Sequence, residues 1–375
     1  MSGKLSIVQL GLGGVGQALA RQYLELAERY PRLGYTGLGD RSGLLVAERG
    51  LPAADLARAL ELKAAGHSIA QVAEQLGGKA RFLPPSDDGL PDLSLLLVSA
   101  AQSGSVVVVD ATGDRGTHAT LLRARTLGAH VAMCNKWPLA VPFDRFEELM
   151  AAGGGGSRIK FETTVGAALP VIGTLEKLVQ NGDEVRRIEA AVSGTLGFVF
   201  SRLDEGSPFS TAVQEAHRLG YTEPDPRDDL SGVDAQRKAL ILARVLGRRM
   251  DMTDVRVESL VPLALREAGL EEFWRRLPDF DGEMAVRVEA AAGRGCVLRY
   301  VATVDEVGAA AGLAEVPSGS QLGSLRGTES LFVFHTRRYG EQPLSVRGRG
   351  AGAEVTASGV MSDILSLLDP HAGSF

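Results

Sequence analysis

Cysteine is nearly absent from this 375-residue sequence: Cys134 and Cys296 lie far apart and outside any CxxC or Cys/His cluster. That excludes a disulfide framework and gives no support to a zinc site. Histidine is scarce too, six residues dispersed along the chain, so no metal chemistry rests on imidazole. No window approaches the roughly 20 apolar residues needed to span a bilayer. The N-terminal MSGKLSIVQL runs straight into a strand pattern, without the n-region and cleavage site of a signal peptide. The expectation is a cytoplasmic protein with no membrane partner. Excess basic charge is also missing. Against 46 Asp and Glu stand 40 Lys and Arg, a formal net charge of -6, with no basic stripe for nucleic acid. What remains is an ordinary globular balance, 45% hydrophobic and 23% charged, in a chain long enough for two or three packed cores.

The apolar run Leu5 to Leu10 stops at Gly11-Leu12-Gly13-Gly14-Val15-Gly16 and gives way to ALARQYLELAERY, whose apolar spacing is helical. Strand, glycine turn and helix in that order fit the G-x-G-x-x-G pattern. The first glycine makes the turn, the second admits a pyrophosphate, and the third lets helix pack on strand. The N-terminus of the helix offers its free N–H groups to phosphate. A second strand over 35–39 ends at Asp40-Arg41. Asp40 would bond the adenine ribose diol of NAD, whereas Arg41 would pair with the 2'-phosphate of NADP, so the sequence points both ways. A plain turn in DRSG is the other reading of this pair.

Residues 51–77 read as a helical insertion, with Ser68 as a cap before IAQVAEQL. The run Ser105 to Asp110 is a buried parallel strand that turns at Ala111-Thr112-Gly113, followed by a helix over 117–127 and a strand over 130–133. Lys136 then falls at the carboxyl edge of the sheet, where open α/β sheets bind ligands. Cys134 beside it reads as a small hydrophobe. His130, four residues back along an extended strand, would sit roughly 13 Å away, too far to activate a nucleophile.

The glycine-rich loop 151–157 marks a domain boundary. Beyond it, 177–200, 297–303 and 331–335 contain runs suited to an open sheet, while 210–220, 232–246 and 255–274 look helical, which predicts an α+β domain. Residues 355–368 read as a capped terminal helix. The densest polar cluster is Gly220-Tyr-Thr-Glu223-Pro-Asp225-Pro-Arg-Asp228-Asp229, a proline-stiffened loop whose four carboxylates suit a small cationic group. On the helix that follows, at about 100° per residue, Asp234 and Lys238 share the stripe of Ile241 and Val245. Both face inward, as an acid/base pair lining a cleft would. An i,i+4 surface pair would sit opposite that stripe.

GYTEPDPRDDLSGVDAQRKALILAR, with SGTLGFVFSRLDEG, FETTVGAALPVI, NKWPLA and GAGAEVTASGVMSDIL, resembles homoserine dehydrogenase. The likeness is greatest to the dehydrogenase portion of the bifunctional aspartokinase-homoserine dehydrogenases, and it runs in order from the glycine turn to the last helix. It implies an α/β fold: a Rossmann-type doubly wound parallel sheet in a dinucleotide-binding domain of residues 1–150 and 341–375, completed by the C-terminal segment. Residues 151–340 would form an α+β catalytic and dimerisation domain with an open sheet. The activity implied is NAD(P)-dependent interconversion of L-homoserine and L-aspartate 4-semialdehyde in threonine, methionine and isoleucine biosynthesis. The cofactor would be NADP or NAD, and the oligomer a homodimer or homotetramer.

The resemblance also implies roles. Glu223 would hold the homoserine ammonium, with Thr195, Tyr221 and Asp229 shaping the pocket. Asp234 and Lys238 would attend the reacting oxygen, and Lys136 would lie between nicotinamide and substrate, sharing or owning the proton transfer. Gly11, Gly13, Gly14, Val15 and Gly16 would carry the cofactor, Thr112 and Gly113 would flank it, and Gly350 to Gly352 would close over it. A monovalent cation, sodium or potassium, would be held by the backbone carbonyls of Val165, Ala167 and Leu169. A sequence ending at Phe375 leaves no room for the C-terminal regulatory domain of some relatives, and no aspartokinase precedes it, so cooperative threonine inhibition is not expected. Two other functions compete: a catalytically silent NAD(P)-binding sensor, and an acylating aldehyde dehydrogenase with Cys134 as nucleophile. The full set Glu223, Asp229, Asp234 and Lys238 argues against the sensor.

Overall fold

The computed structural model describes residues 4–47, 49–77, 80–85, 104–153 and 156–368. The chain divides into two compact units, residues 1–168 with 352–375, and residues 169–351.

In the first unit the N-terminal apolar run becomes β1 (Lys4–Leu10), buried at every position after Lys4. It leads through the glycine turn into α1 (Gly14–Leu26). Next come β2 (Leu33–Asp40), β3 (Gly43–Val46), α2 (Ala53–Ala64), α3 (Ile69–Gln75) and β4 (Arg81–Leu83). The 51–77 segment is thus helical, and Ser68 caps α3 as expected: its Oγ accepts the Gln71 N–H, and the Gln71 side chain accepts the Ser68 N–H. There follow β5 (Gly104–Asp110), α4 (His118–Thr126), β6 (His130–Met133), α5 (Phe143–Ala151), β7 (Ile159–Lys160) and α6 (Thr163–Gly166).

The strand order is β4-β3-β2-β1-β5-β6-β7. β1, β2, β5, β6 and β7 run parallel, and β3 and β4 are antiparallel additions. The order reverses between β1 and β5, so the crevice at their carboxyl ends is where a doubly wound sheet binds its ligand. The C-terminal helix (Ala353–Leu368) closes this core: Ala357, Val360, Ile364 and Leu367 pack in one cluster with Ile7, Leu19 and Val107.

The second unit contains α7 (Ile172–Gln180), β8 (Val185–Ala191), α8 (Gly194–Asp204), α9 (Phe209–Arg218), α10 (Pro226–Leu230), α11 (Val233–Val245), β9 (Val255–Val257), α12 (Leu270–Arg276), α13 (Asp281–Ala292), β10 (Cys296–Asp305), β11 (Gly308–Pro317), β12 (Glu329–Thr336) and β13 (Leu344–Arg349). The sheet order is β13-β12-β8-β10-β11-β9. All its pairings are antiparallel except β9 with β11. α8 and α11 pack on this sheet and carry the residues discussed below.

Two expectations need correction. The boundaries lie at 168/169 and 351/352 rather than in the 151–157 loop and at 341. Long-range pairing decides this: β7 bonds to β6 in the first sheet, and β13 to β12 in the second. Residues 255–274 are not one helix. Val255–Val257 finds a parallel partner on β11, a 3-10 turn occupies Leu263–Leu265 after Pro262, and a helix begins at Leu270. Within 177–200 the run suited to a sheet is β8, as expected, and the Ser193 Oγ then accepts the Leu196 N–H and starts α8. Among the described residues no helix is long and apolar enough to cross a membrane.

Candidate active site

In the first unit, Gly11 at the end of β1 has φ +95°, and a Cβ there would lie 2.6 Å from the Ala111 carbonyl oxygen. A Cβ on Gly16 would lie 2.0 Å from the Gly11 oxygen, so helix and turn touch only because both are glycine. The buried Gln9 fastens this turn. Its Nε2 donates to the carbonyls of Gly11 and Gly16, and its Oε1 accepts the Tyr35 hydroxyl at 2.6 Å. Gly13 and Gly14 are exposed at the mouth, and Gly13 caps α1 without any side-chain bond, leaving the first N–H groups of a 13-residue helix for an anion. Val15 instead packs against the core.

A cavity of about 600 Å³ opens at this edge. It is lined by the glycine turn, by Asp40, Arg41 and Ser42 after β2, by Thr112 and Gly113 after β5, and by Lys63 and His67 from the helical insertion. These residues suit a dinucleotide: a glycine cradle and open helix N-terminus for pyrophosphate, and polar and cationic groups at the β2 end for a ribose or its phosphate. Asp40 is already engaged. Its Oδ1 accepts the Ser42 N–H and hydroxyl, and its Oδ2 meets the Lys63 ammonium at 2.5 Å and the Ile69 N–H at 3.0 Å. Burial raises its pKa, but the bonds from Lys63 and Ser42 outweigh that and hold the carboxyl below its ordinary value.

At the β5 and β6 ends, Asp110 is inaccessible to solvent, and Asn135 donates to it at 2.9 Å. Lys136 is half-buried where a 3-10 turn begins. The Cys134 thiol is pushed up to about 12, first by burial and then by Asp110. It is a packed hydrophobe, as expected, and not an activated nucleophile.

In the second unit, α8 presents the Thr195 hydroxyl, which lies 2.6 Å from the Tyr221 carbonyl and 2.8 Å from Asp229 Oδ1. Asp229 Oδ2 accepts the Glu223 N–H at 2.8 Å. Burial raises the Asp229 pKa, helped by the Glu223 and Asp234 charges, against the bonds it accepts from Glu223 and Thr195. The Glu223 and Tyr221 side chains are exposed. On α11 Lys238 is buried, its ammonium 2.8 Å from Asp234 Oδ2 and donating to the Val192 carbonyl at 2.7 Å. Lys238 thus faces inward, while the Asp234 side chain is 43% exposed and looks out from the helix end.

Of the four loop carboxylates, Asp225 is structural: it caps α10 and pairs with Arg227, which holds it below the usual carboxylate range. Arg227 also donates to the carbonyls of Leu265, Arg266 and Ala268 and lies over the Phe273 ring. It joins the loop to the 265–273 segment. Val165 and Ala167 lie in the first unit, and Ala167 is the one non-glycine residue with positive φ among those described, at +51°. The Leu169 carbonyl accepts the Val171 N–H. Gly350 packs on Ser330, where a Cβ would meet the hydroxyl, and Gly352 opens the C-terminal helix at φ +118°. Gln9, Lys63, His67, Asp110, Asn135 and Arg227 were not singled out from sequence. The one signal available was a polar residue inside or ending an apolar strand, at Gln9 and Asp110.

The homoserine dehydrogenase family profile matches residues 170–365. The chain is 36% identical to a homoserine dehydrogenase of Emericella nidulans over 98% of its own length and 100% of that protein. It is 43% identical to the chloroplastic bifunctional aspartokinase/homoserine dehydrogenase of Daucus carota, over 70% of this chain but 29% of that protein. The structure of a hyperthermophilic archaeal homoserine dehydrogenase in complex with NADPH superposes with a TM-score of 0.72 at 27% identity, covering 98% of this chain and 97% of that one. A full-length match at this identity, together with the family profile over more than half of the sequence, places the chain in the homoserine dehydrogenase family.

Proposed function

We propose that this chain interconverts L-homoserine and L-aspartate 4-semialdehyde, with NADP or NAD bound at the glycine-turn crevice of the first unit. The observation that carries the mechanism is Lys238: a buried ammonium held between the Val192 carbonyl and Asp234, on the helix that follows the segment carrying Glu223 and Asp229, to which Thr195 of α8 is bonded. The nicotinamide supplies or takes the hydride. As the carbonyl oxygen of the semialdehyde gains negative charge, an ammonium fixed beside it stabilises the transition state more than the ground state. Lys238 is that donor: its ammonium gives a proton to the oxygen and becomes the neutral amine, and in the oxidative direction the neutral amine takes the hydroxyl proton and becomes the ammonium. Asp234 orients it. Lys136, at the β6 end, is the other candidate for the same transfer. Glu223 holds the substrate ammonium, with its backbone fixed by Asp229 and the Asp229 carboxylate fixed in turn by Thr195.

The same reading makes the protein a cytoplasmic homodimer or homotetramer in threonine and methionine biosynthesis, with no nucleic-acid or membrane partner. A sodium or potassium ion would sit on carbonyls of the strained 165–169 turn. The test is appearance of reduced nicotinamide absorbance on mixing protein, homoserine and oxidised cofactor. No change with either cofactor would favour a catalytically silent sensor. Glu223→Leu should mainly raise the homoserine KM and leave cofactor binding intact, since the side chain is exposed in the second unit.

A further inference from the structure

Asp110 closes β5 as a fully buried carboxylate whose four bonds come from neutral groups. Oδ1 accepts the Thr112 N–H at 3.0 Å and its hydroxyl at 2.6 Å, and Oδ2 accepts the Thr117 hydroxyl at 2.6 Å and Asn135 Nδ2 at 2.9 Å. Asn135 continues the chain of bonds. Its Nδ2 also donates to the Asp114 carbonyl at 2.8 Å, and its Oδ1 accepts the Trp137 N–H at 3.1 Å. Lys136 therefore stands between two residues tied to this carboxylate. On the outer side, the Arg115 guanidinium lies 4.1 Å from the centroid of the Trp137 ring, drawing the 112–117 loop to the same turn. Thr112 and Asp114 meanwhile line the dinucleotide cavity.

We propose that Asp110 is a positioning residue: it locks the wall of the cofactor crevice at Thr112 to the turn that carries Lys136, so that cofactor and lysine are held in register. This rests on the dehydrogenase reading above. A buried ionised group is costly to desolvate, and a neutral strand end would be easier to bury. The carboxylate earns its place by accepting four donors at once, which no neutral side chain of its size can do. Asparagine shows why. Its one oxygen must face the Thr112 N–H, which cannot reverse, and its NH2 then meets Asn135 Nδ2, donor against donor. The Thr117 hydroxyl can rotate to accept, but Asn135 has to move, and Trp137 and Lys136 move with it.

The experiment uses a Trp274→Phe background, which leaves Trp137 as the sole tryptophan of the two in the chain. NADPH titration followed by Trp137 fluorescence gives the fraction of protein that binds cofactor, and homoserine turnover is expressed per binding site. Asp110→Asn should shift the Trp137 emission and lower turnover per site roughly 100-fold, the scale of a misplacement near 1 Å, with the homoserine KM changed less than about threefold. Thr117→Val has the same shape, removes one of the four bonds, and should cost turnover about 2- to 12-fold per site. It decides the matter if Asp110→Asn does not fold. Unchanged turnover per site in the variants, or a loss that merely tracks the fraction binding cofactor, overturns the inference. Wild-type protein that binds no nicotinamide cofactor overturns the dehydrogenase reading and this inference together. Active wild-type protein beside an equally active Asp110→Asn variant overturns this inference alone.

Discussion

Gly232→Ala should damage both stability and turnover, for reasons that can be separated. Gly232 caps α11 at φ +73°, a region that costs a non-glycine L-residue about 1–2 kcal/mol. An added Cβ would stand 1.8 Å from the Tyr300 hydroxyl and 2.8 Å from its Cζ. Tyr300 cannot withdraw freely: it is 4% exposed, and its hydroxyl donates to the Glu258 carbonyl at 2.6 Å. Displacing it leaves a buried polar group unpaired, a further loss of about 1–3 kcal/mol. The sum is roughly 2–5 kcal/mol, which at a urea m-value of about 2 kcal/mol/M lowers the unfolding midpoint by about 1–2.5 M. In a Tyr300→Phe background the hydroxyl in closest conflict and its buried hydrogen bond are gone, leaving the backbone part, about 1–2 kcal/mol, and the milder 2.8 Å approach to the ring Cζ, so the same substitution should cost less and a double-mutant cycle should return a coupling of about 1 kcal/mol or more. Turnover should fall as well, because Asp234 and Lys238 ride on the helix that Gly232 begins. A midpoint shift below about 0.3 M, or an equal shift in both backgrounds, would refute the packing account.

Other consequences follow from the site. Lys238→Met should lower turnover about 10²–10³-fold while NADPH titrations remain normal; near-normal turnover would transfer the proton to Lys136, and Lys136→Met is the paired measurement. Iodoacetamide at pH 8 should leave activity intact, because a thiol with a pKa of about 12 is roughly one part in 10⁴ thiolate there, and modification should become appreciable only as the pH rises toward that value; inactivation at pH 8 that tracks labelling of Cys134 would reverse this. Lys63→Met should release Asp40 to a ribose diol and remove a cation from the β2 end, shifting the ratio of NADP to NAD use toward NAD by roughly tenfold. Arg41→Ala should act in the same direction, and an unchanged ratio in both variants would show that the 2'-phosphate is read elsewhere.

Much of the first unit was legible because its signals are local. Six residues around Gly11 to Gly16 state a turn whose physics needs no distant partner, and Ser68 with Gln71 spells a capping box within four residues. The inward face of Lys238 followed from helical periodicity alone. Asp234 shows the limit of that rule, since a residue in the first turn of α11 shares the stripe but not its depth. The short strand Val255–Val257 carried no such signal: three residues become a strand only when β11 supplies the hydrogen bonds.

By itself, the amino-acid order determined the strand–turn–helix around Gly11 to Gly16, the helical stripe with its lysine, and the membership of motifs that together resemble one enzyme family. The turn, the stripe and each single motif depend on residues close to one another in sequence. Only the tertiary structure decided the domain boundaries, the engagement of Asp40 by Lys63 from an insertion to which no role had been given, the anchoring of Lys238 to Val192, and the burial of Asp110 beneath Asn135. Those are contacts between segments far apart in sequence. Burial and hydrogen-bond saturation are properties of the whole packed core, which no local pattern contains.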